Sequence, residues 1–207
     1  MKQMTSMYGG HAGTYQCSEV VPWLTEIAKG IEYLHGCIPK IIHRDLKLQN
    51  VLLTTDRRIK ITDFGLVKVV TDTTKKMKDT YTMTGKTGSY RYMAPEASQH
   101  DKCQYDEKVD VFAFAIMMYE LMSQQLLLTD PVSRDQEFND MQHADKVAAG
   151  WRPGMVKSWP EDLCKIIKSC WDNDPEKRSP MADVVKQLQA CAPWEGAPPS
   201  SCACVIT

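Results

Sequence analysis

Between Val109 and Met122 every residue is apolar or aromatic except Asp110 and Glu120. A helix built from this run has no polar face to offer water, and at about 14 residues it is too short to cross a bilayer. It must be wrapped on all sides by the rest of the chain, which calls for a sizeable core around one central helix. With 207 residues, 43% of them hydrophobic and 25% charged, the chain has the material for one such domain. Its formal net charge of -1 lacks the basic excess that gripping a phosphate backbone requires, so nucleic acid is not an expected partner.

The remaining periodicity shows what does the wrapping. Val20, Leu24, Ile27, Ala28, Ile31 and Leu34 recur at three- and four-residue steps and predict a helix with one buried stripe, capped by Ser18 and stopped by Gly36. The pattern then changes to short β-branched runs around polar loops: Ile41-Ile42, Val51-Leu52-Leu53 and Ile59-Lys60-Ile61-Thr62. Residues 67–90 are rich in Thr, Lys, Gly and Asp without periodicity and are expected to form one long functional loop. Helices are predicted again over Glu107–Met122, Asp162–Trp171 and Pro180–Ala190, the last with Ser179 as N-cap and Pro180 in the first turn. We therefore expect a disordered or remnant segment over 1–17, a mainly α domain with short β-hairpins over 18–192, and a flexible tail over 193–207.

Eight cysteines (17, 37, 103, 164, 170, 191, 202 and 204) are scattered, with no Cys-x-x-Cys pair and no His at zinc-ligand spacing, and the first six read as reduced, mostly packed thiols. Met1–Thr14 has no apolar core of a signal peptide, so a cytoplasmic protein is expected.

Three segments carry chemistry: His43-Arg44-Asp45-Leu46-Lys47-Leu48-Gln49-Asn50, then Asp63-Phe64-Gly65, then Ala94-Pro95-Glu96. In order and spacing they resemble the catalytic loop, the metal-binding triplet and the end of the activation segment of eukaryotic protein kinases. The resemblance runs from about Val20 to Ala192 and implies the larger, mainly helical C-terminal lobe of that fold. The roles that follow belong to the general protein-kinase template of phosphoryl transfer. Asp45 would accept the proton of the attacking hydroxyl, and Lys47 would approach the transferred phosphate. Asn50 and Asp63 would hold Mg2+ through oxygen atoms, and Leu52 would pack under the adenine of ATP. His43 and Phe64 would stack to join the two loops. Asp110 would bond the catalytic-loop backbone, and Glu96 would pair with Arg178.

Lys47 two residues after Asp45, with Ser89 in Gly88-Ser89-Tyr90-Arg91-Tyr92-Met93, is similar to Ser/Thr kinases, so protein Ser/Thr hydroxyls are the implied substrates. Gly150-Trp151-Arg152-Pro153 and the run from Cys170 to Arg178 resemble the tyrosine-kinase-like group of Ser/Thr kinases. Thr80, Tyr81, Thr82, Thr84 and Thr87 are phosphorylation candidates in the activation segment, where a phosphate would pair with Arg44.

The 42 residues ahead of His43 contain no Gly-x-Gly-x-x-Gly and no Val-Ala-x-Lys, the features that cover and hold the nucleotide phosphates in kinases. The N-terminal β lobe is therefore expected to be absent. The chain as written is expected to be incomplete and weakly active or inactive, with a missing lobe or partner protein meeting its upper face. The alternative is a truncated pseudokinase acting as a protein-interaction module. At the other end, Cys204-Val205-Ile206-Thr207 has the layout of a prenylation signal, with Cys202 open to palmitoylation. Membrane association through a lipidated C-terminus is the matching expectation.

Overall fold

The computed structural model describes residues 2–4, 15–71, 77–78, 89–97, 104–125 and 140–195. They form a mainly helical structure with small antiparallel sheets. At its centre lies α2 (Lys108–Ser123), in which every residue from Val109 to Ser123 is buried. Against it pack α1 (Cys17–Gly36) and α4 (Glu161–Cys170), and α5 (Met181–Ala190) packs in turn on α1 and α4. Helix α1 buries Val20, Leu24, Ile27, Ala28, Ile31 and Leu34, the stripe expected from their spacing. Its start differs from expectation. Gln16 donates its N–H to the Glu19 carboxylate at 3.0 Å and accepts from the Glu19 N–H at 3.0 Å, leaving Ser18 inside the first turn. A long acidic side chain three residues into the helix makes that reciprocal cap available. Helix α5 likewise begins one residue later than expected, because the Pro180 carbonyl accepts from the N–H groups of Asp183 and Val184.

Three two- or three-stranded sheets decorate this helical body. Strand β1 (Lys2–Gln3) pairs with β3 (Val51–Leu53), which pairs in turn with β4 (Ile59–Ile61) in a hairpin. Strand β2 (Lys40–Ile42) pairs with β5 (Lys68–Val70), and β6 (Met77–Lys78) with β7 (Gln104–Tyr105). Strand β5 lies within the expected loop. Its Lys-Val-Val is too short to show a period, and only the approach of β2 makes it a strand.

Three further departures share that cause. Helix α3 (Asp140–Ala148) is not expected from the sequence, where its short, mostly polar run shows no extended apolar stripe; among its described side chains His143, Ala144 and Val147 are buried. At the N-terminal end, β1 is paired, Met4 is buried, and the Tyr15 hydroxyl donates to the Leu121 carbonyl at 2.7 Å, so these parts of 1–17 join the fold. At the other end Trp194 is buried in the core, past the expected start of the tail. No described helix is long and apolar enough to cross a membrane.

Candidate active site

The site is assembled from the loop after β2 and from the two ends of the β3–β4 hairpin. Chain polarity along β2 delivers His43, Arg44 and Asp45 to the N-terminal end of the central helix. There the buried Asp110 carboxylate accepts the His43 N–H at 2.8 Å on one oxygen and the Arg44 N–H at 2.9 Å on the other. His35, in the last turn of α1, adds a contact at 2.9 Å. Burial alone would raise the Asp110 carboxyl. The His35 hydrogen bond, the charges of His35 and His43, and the Arg44 N–H outweigh it and hold the group below its ordinary value. Arg44 is thereby kept in the left-handed region at φ 70, a conformation that costs a non-glycine residue roughly 1–3 kcal/mol. Its guanidinium lies 5.4 Å from the centre of the Tyr105 ring.

Past Arg44 the chain turns inward, and Asp45, Lys47 and Asn50 are all buried. They meet directly. Lys47 Nζ lies 2.8 Å from Asp45 Oδ2, and Asn50 Nδ2 donates to the same oxygen at 3.1 Å and to the Asp45 carbonyl at 2.8 Å. The short 3-10 turn Leu48–Asn50 sets the spacing, closed by the Asn50 N–H on the Lys47 carbonyl at 2.9 Å. The other oxygen of Asp45, Oδ1, is buried and has no hydrogen-bond partner among the described residues. An orphaned buried carboxylate oxygen costs about 1–3 kcal/mol or more, so its persistence marks a group kept for something other than stability.

Asp63 reaches the site by a different route. The hairpin register, Val51 opposite Ile61, brings Thr62 back beside Asn50, whose carbonyl accepts the Thr62 N–H at 2.9 Å and its hydroxyl at 3.2 Å. Asp63 follows with φ 63, exposed, its carboxylate accepting from the Gly65 N–H at 3.4 Å. It has no direct contact with Asp45 or Lys47 among the described hydrogen bonds; Thr62 is the link. Next in the chain, Phe64 lies 5.2 Å from the His43 ring, and His43 Nε2 contacts the Thr62 carbonyl at 3.1 Å, so the two loops touch through three groups. Leu52 is half-buried on β3, opposite Gln3 on one side and Lys60 on the other.

Glu96 and Arg178 form a fork-to-fork pair, with both guanidinium nitrogens 2.7 Å from a carboxylate oxygen. Arg178 is fully buried and also donates to the carbonyls of Asp172 at 2.8 Å and Lys108 at 3.0 Å. Thr80, Tyr81, Thr82, Thr84 and Thr87, together with Cys202 and Cys204, lie outside the described residues. Ser89 opens the 3-10 turn Ser89–Tyr92.

Several residues that matter here carry no motif of their own. His35 supports Asp110, and Thr62 joins Asn50 to His43. Tyr92 donates to Glu120 at 2.5 Å, and the burial and charge there push its phenol well above the ordinary value. Glu120 did leave a trace, as one of two charges interrupting the apolar run of α2. His35 and Thr62 left none, because their partners are remote in sequence.

Asn50 and Asp63 offer an amide oxygen and an exposed carboxylate, hard donors of the kind Mg2+ prefers. No group of three or more His, Cys, Asp or Glu side chains among the described residues is placed to hold a metal by itself. The donor set thus fits a hard cation that also takes phosphate and water oxygens.

Residues 3–188 match the family model described as protein tyrosine and serine/threonine kinase. The chain is 40% identical over 172 residues to the serine/threonine-protein kinase VIK of Arabidopsis thaliana, an alignment covering 82% of this chain and 37% of that protein. It is 34% identical over 179 residues to STY17 of the same plant, also named a serine/threonine-protein kinase, covering 86% of this chain and 28% of the relative. It is 37% identical over 164 residues to the dual specificity protein kinase shkE of Dictyostelium discoideum, covering 79% and 21%. The chain therefore spans well under half the length of these relatives.

Proposed function

Because the chain belongs to the protein tyrosine and serine/threonine kinase family, we propose that it supplies the catalytic loop of a Ser/Thr protein kinase, which moves the γ-phosphoryl group of ATP to protein Ser/Thr hydroxyls. The observation that carries this is the division of labour on Asp45. Lys47 and Asn50 occupy Oδ2, and Oδ1 stays without a described partner at a buried position. A carboxylate held this way has one oxygen fixed and the other open to a hydroxyl proton. The acceptor's O–H proton passes to Asp45 Oδ1 while its oxygen bonds to the γ-phosphorus, and the bond from that phosphorus to the bridging oxygen breaks to release ADP.

Lys47 serves twice. It holds Asp45 Oδ2 in place at 2.8 Å, and its ammonium is a compact positive charge within reach of the developing phosphoryl charge. Asn50 and Asp63 would hold Mg2+, which when bound neutralises phosphate charge. The Ser/Thr preference is supported by Lys47 and Ser89 and by the names of two of the three relatives; the third is called dual specificity. These 207 residues contain neither the Gly-rich loop nor the strand lysine of kinases, so for them alone we propose weak transfer.

Transfer from labelled ATP to Ser, Thr and Tyr peptides tests the proposal. Ser/Thr labelling should fall by about 10²–10⁴-fold in Asp45→Asn. Labelling that survives the substitution would remove Asp45 from its role. No labelling together with no nucleotide binding would favour a protein-interaction module instead.

A further inference from the structure

The position of Asp63 depends on β4, and β4 is an edge strand. Its inner edge pairs with β3, and among the described residues no strand covers its outer edge, since the sheet order is β1-β3-β4. On that outer side runs α1. Glu26 of α1 accepts the Ile59 backbone N–H at 2.8 Å on one carboxylate oxygen and contacts Arg58 Nε at 2.8 Å with the other. One turn along, Gly30 faces Ile61 so closely that a Cβ there would sit 2.8 Å from Ile61 Cδ1. Four helical residues advance ~6 Å and two strand residues ~6.6 Å, so Glu26 and Gly30 match the step from Ile59 to Ile61. Helix and strand therefore meet at two registered points, one a hydrogen bond to the strand's backbone and one a close approach to the end of the Ile61 side chain.

We infer that Glu26 and Gly30 are positioning residues: they seat β4 against α1 and so set where Asp63 stands relative to Asn50. The chain of contacts is short. Ile61 ends β4, Thr62 is bonded to Asn50 by both its N–H and its hydroxyl, and Asp63 follows at φ 63. Such a residue has little slack, because its left-handed backbone must be held from both sides. A small displacement of β4 passes directly to Asp63. The Arg58 contact is largely exposed and adds little, which leaves the Ile59 N–H bond as the main feature that holds the β4 backbone, with the Gly30 approach to the Ile61 side chain beside it.

The metal role of Asp63 rests on the proposed function, whereas the seat itself does not, and two readouts separate them. The first is the Mg2+ concentration giving half-maximal peptide phosphorylation, and the second is the backbone amide resonances of Thr62 and Asp63. Gly30→Ala should raise the Mg2+ requirement about 5–10-fold and move both resonances, in keeping with the sensitivity of catalysis to small misplacements. Adding Ile61→Val, which removes the Cδ1 methyl, should restore both. Glu26→Ala should act like Gly30→Ala, and Glu26→Gln, which keeps an acceptor for the Ile59 N–H, should act less. If Gly30→Ala does not fold, the Glu26 pair decides alone. Unmoved Asp63 resonances in both Gly30→Ala and Glu26→Ala, or a defect that Ile61→Val leaves unrepaired, would overturn the seat. Moved resonances without phosphorylation in any variant, wild type included, would overturn the kinase function and uphold the seat.

Discussion

Replacing Arg178 by methionine should be among the most damaging single changes in this chain. The guanidinium is fully buried and makes two hydrogen bonds of 2.7 Å to Glu96, with further ones to the carbonyls of Asp172 and Lys108. It also lies 5.1 Å from the centre of the Phe112 ring, on the central helix. Methionine keeps the stem and removes every donor. Glu96, only 14% exposed at its side chain, is then left as a nearly buried carboxylate without its cation. Breaking one side of such a pair costs about 3–5 kcal/mol. For a domain of this size each kcal/mol moves the midpoint by about 2–4 °C, so a drop of about 6–20 °C is expected. Thermal unfolding followed by circular dichroism measures it. If the loss comes from the stranded carboxylate, Glu96→Gln added to Arg178→Met should recover part of it. A drop of less than about 3 °C, or no recovery in the double variant, would refute the assignment of the cost to this pair.

Three further outcomes follow from the geometry. Lys165→Ala, which removes the exposed Glu161 pair on α4, should leave the midpoint unchanged within error in the same assay, as expected of a surface ion pair. His143 is buried, and burial first, then Arg91, Lys146 and Arg152, lower its pKa from 6.5 to about 4. The unfolded chain then binds a proton that the folded one refuses between those values, so stability should fall by up to roughly 3 kcal/mol as pH drops from 6.5 to 4, and His143→Gln should flatten that slope in urea titrations. Asp110 has its carboxyl lowered below 3.8, so its contribution is present above that pH and fades as the pH falls below it. Asp110→Asn should therefore be less stable than wild type at pH 7, with the gap closing in acid.

Much of the helical framework was legible because its signals are local. The stripe from Val20 to Leu34 and the run from Val109 to Met122 each repeat within a few turns, and a helix reports such repeats whatever surrounds it. The residues of the candidate site were legible through family likeness: three motifs in the same order and spacing as in protein kinases pointed to Asp45, Lys47, Asn50 and Asp63. The fork between Glu96 and Arg178 was expected from family likeness, although the burial that gives it energetic weight became visible only in three dimensions.

Sequence by itself therefore determined the helices with a strong local period, α1, α2, α4 and α5, and the family to which the three motifs point, since those depend on periodicity and on residues a few positions apart. Tertiary structure alone decided that β5 is a strand, that Met4 and Trp194 are core, that α3 exists, and that Glu26 and Gly30 cradle β4. It also decided that Arg44 and Asp63 adopt left-handed backbones. The physical reason is range: each of these outcomes is fixed by a partner far along the chain, as Asp110 is for His43, and no pattern within a few residues encodes where such a partner will arrive.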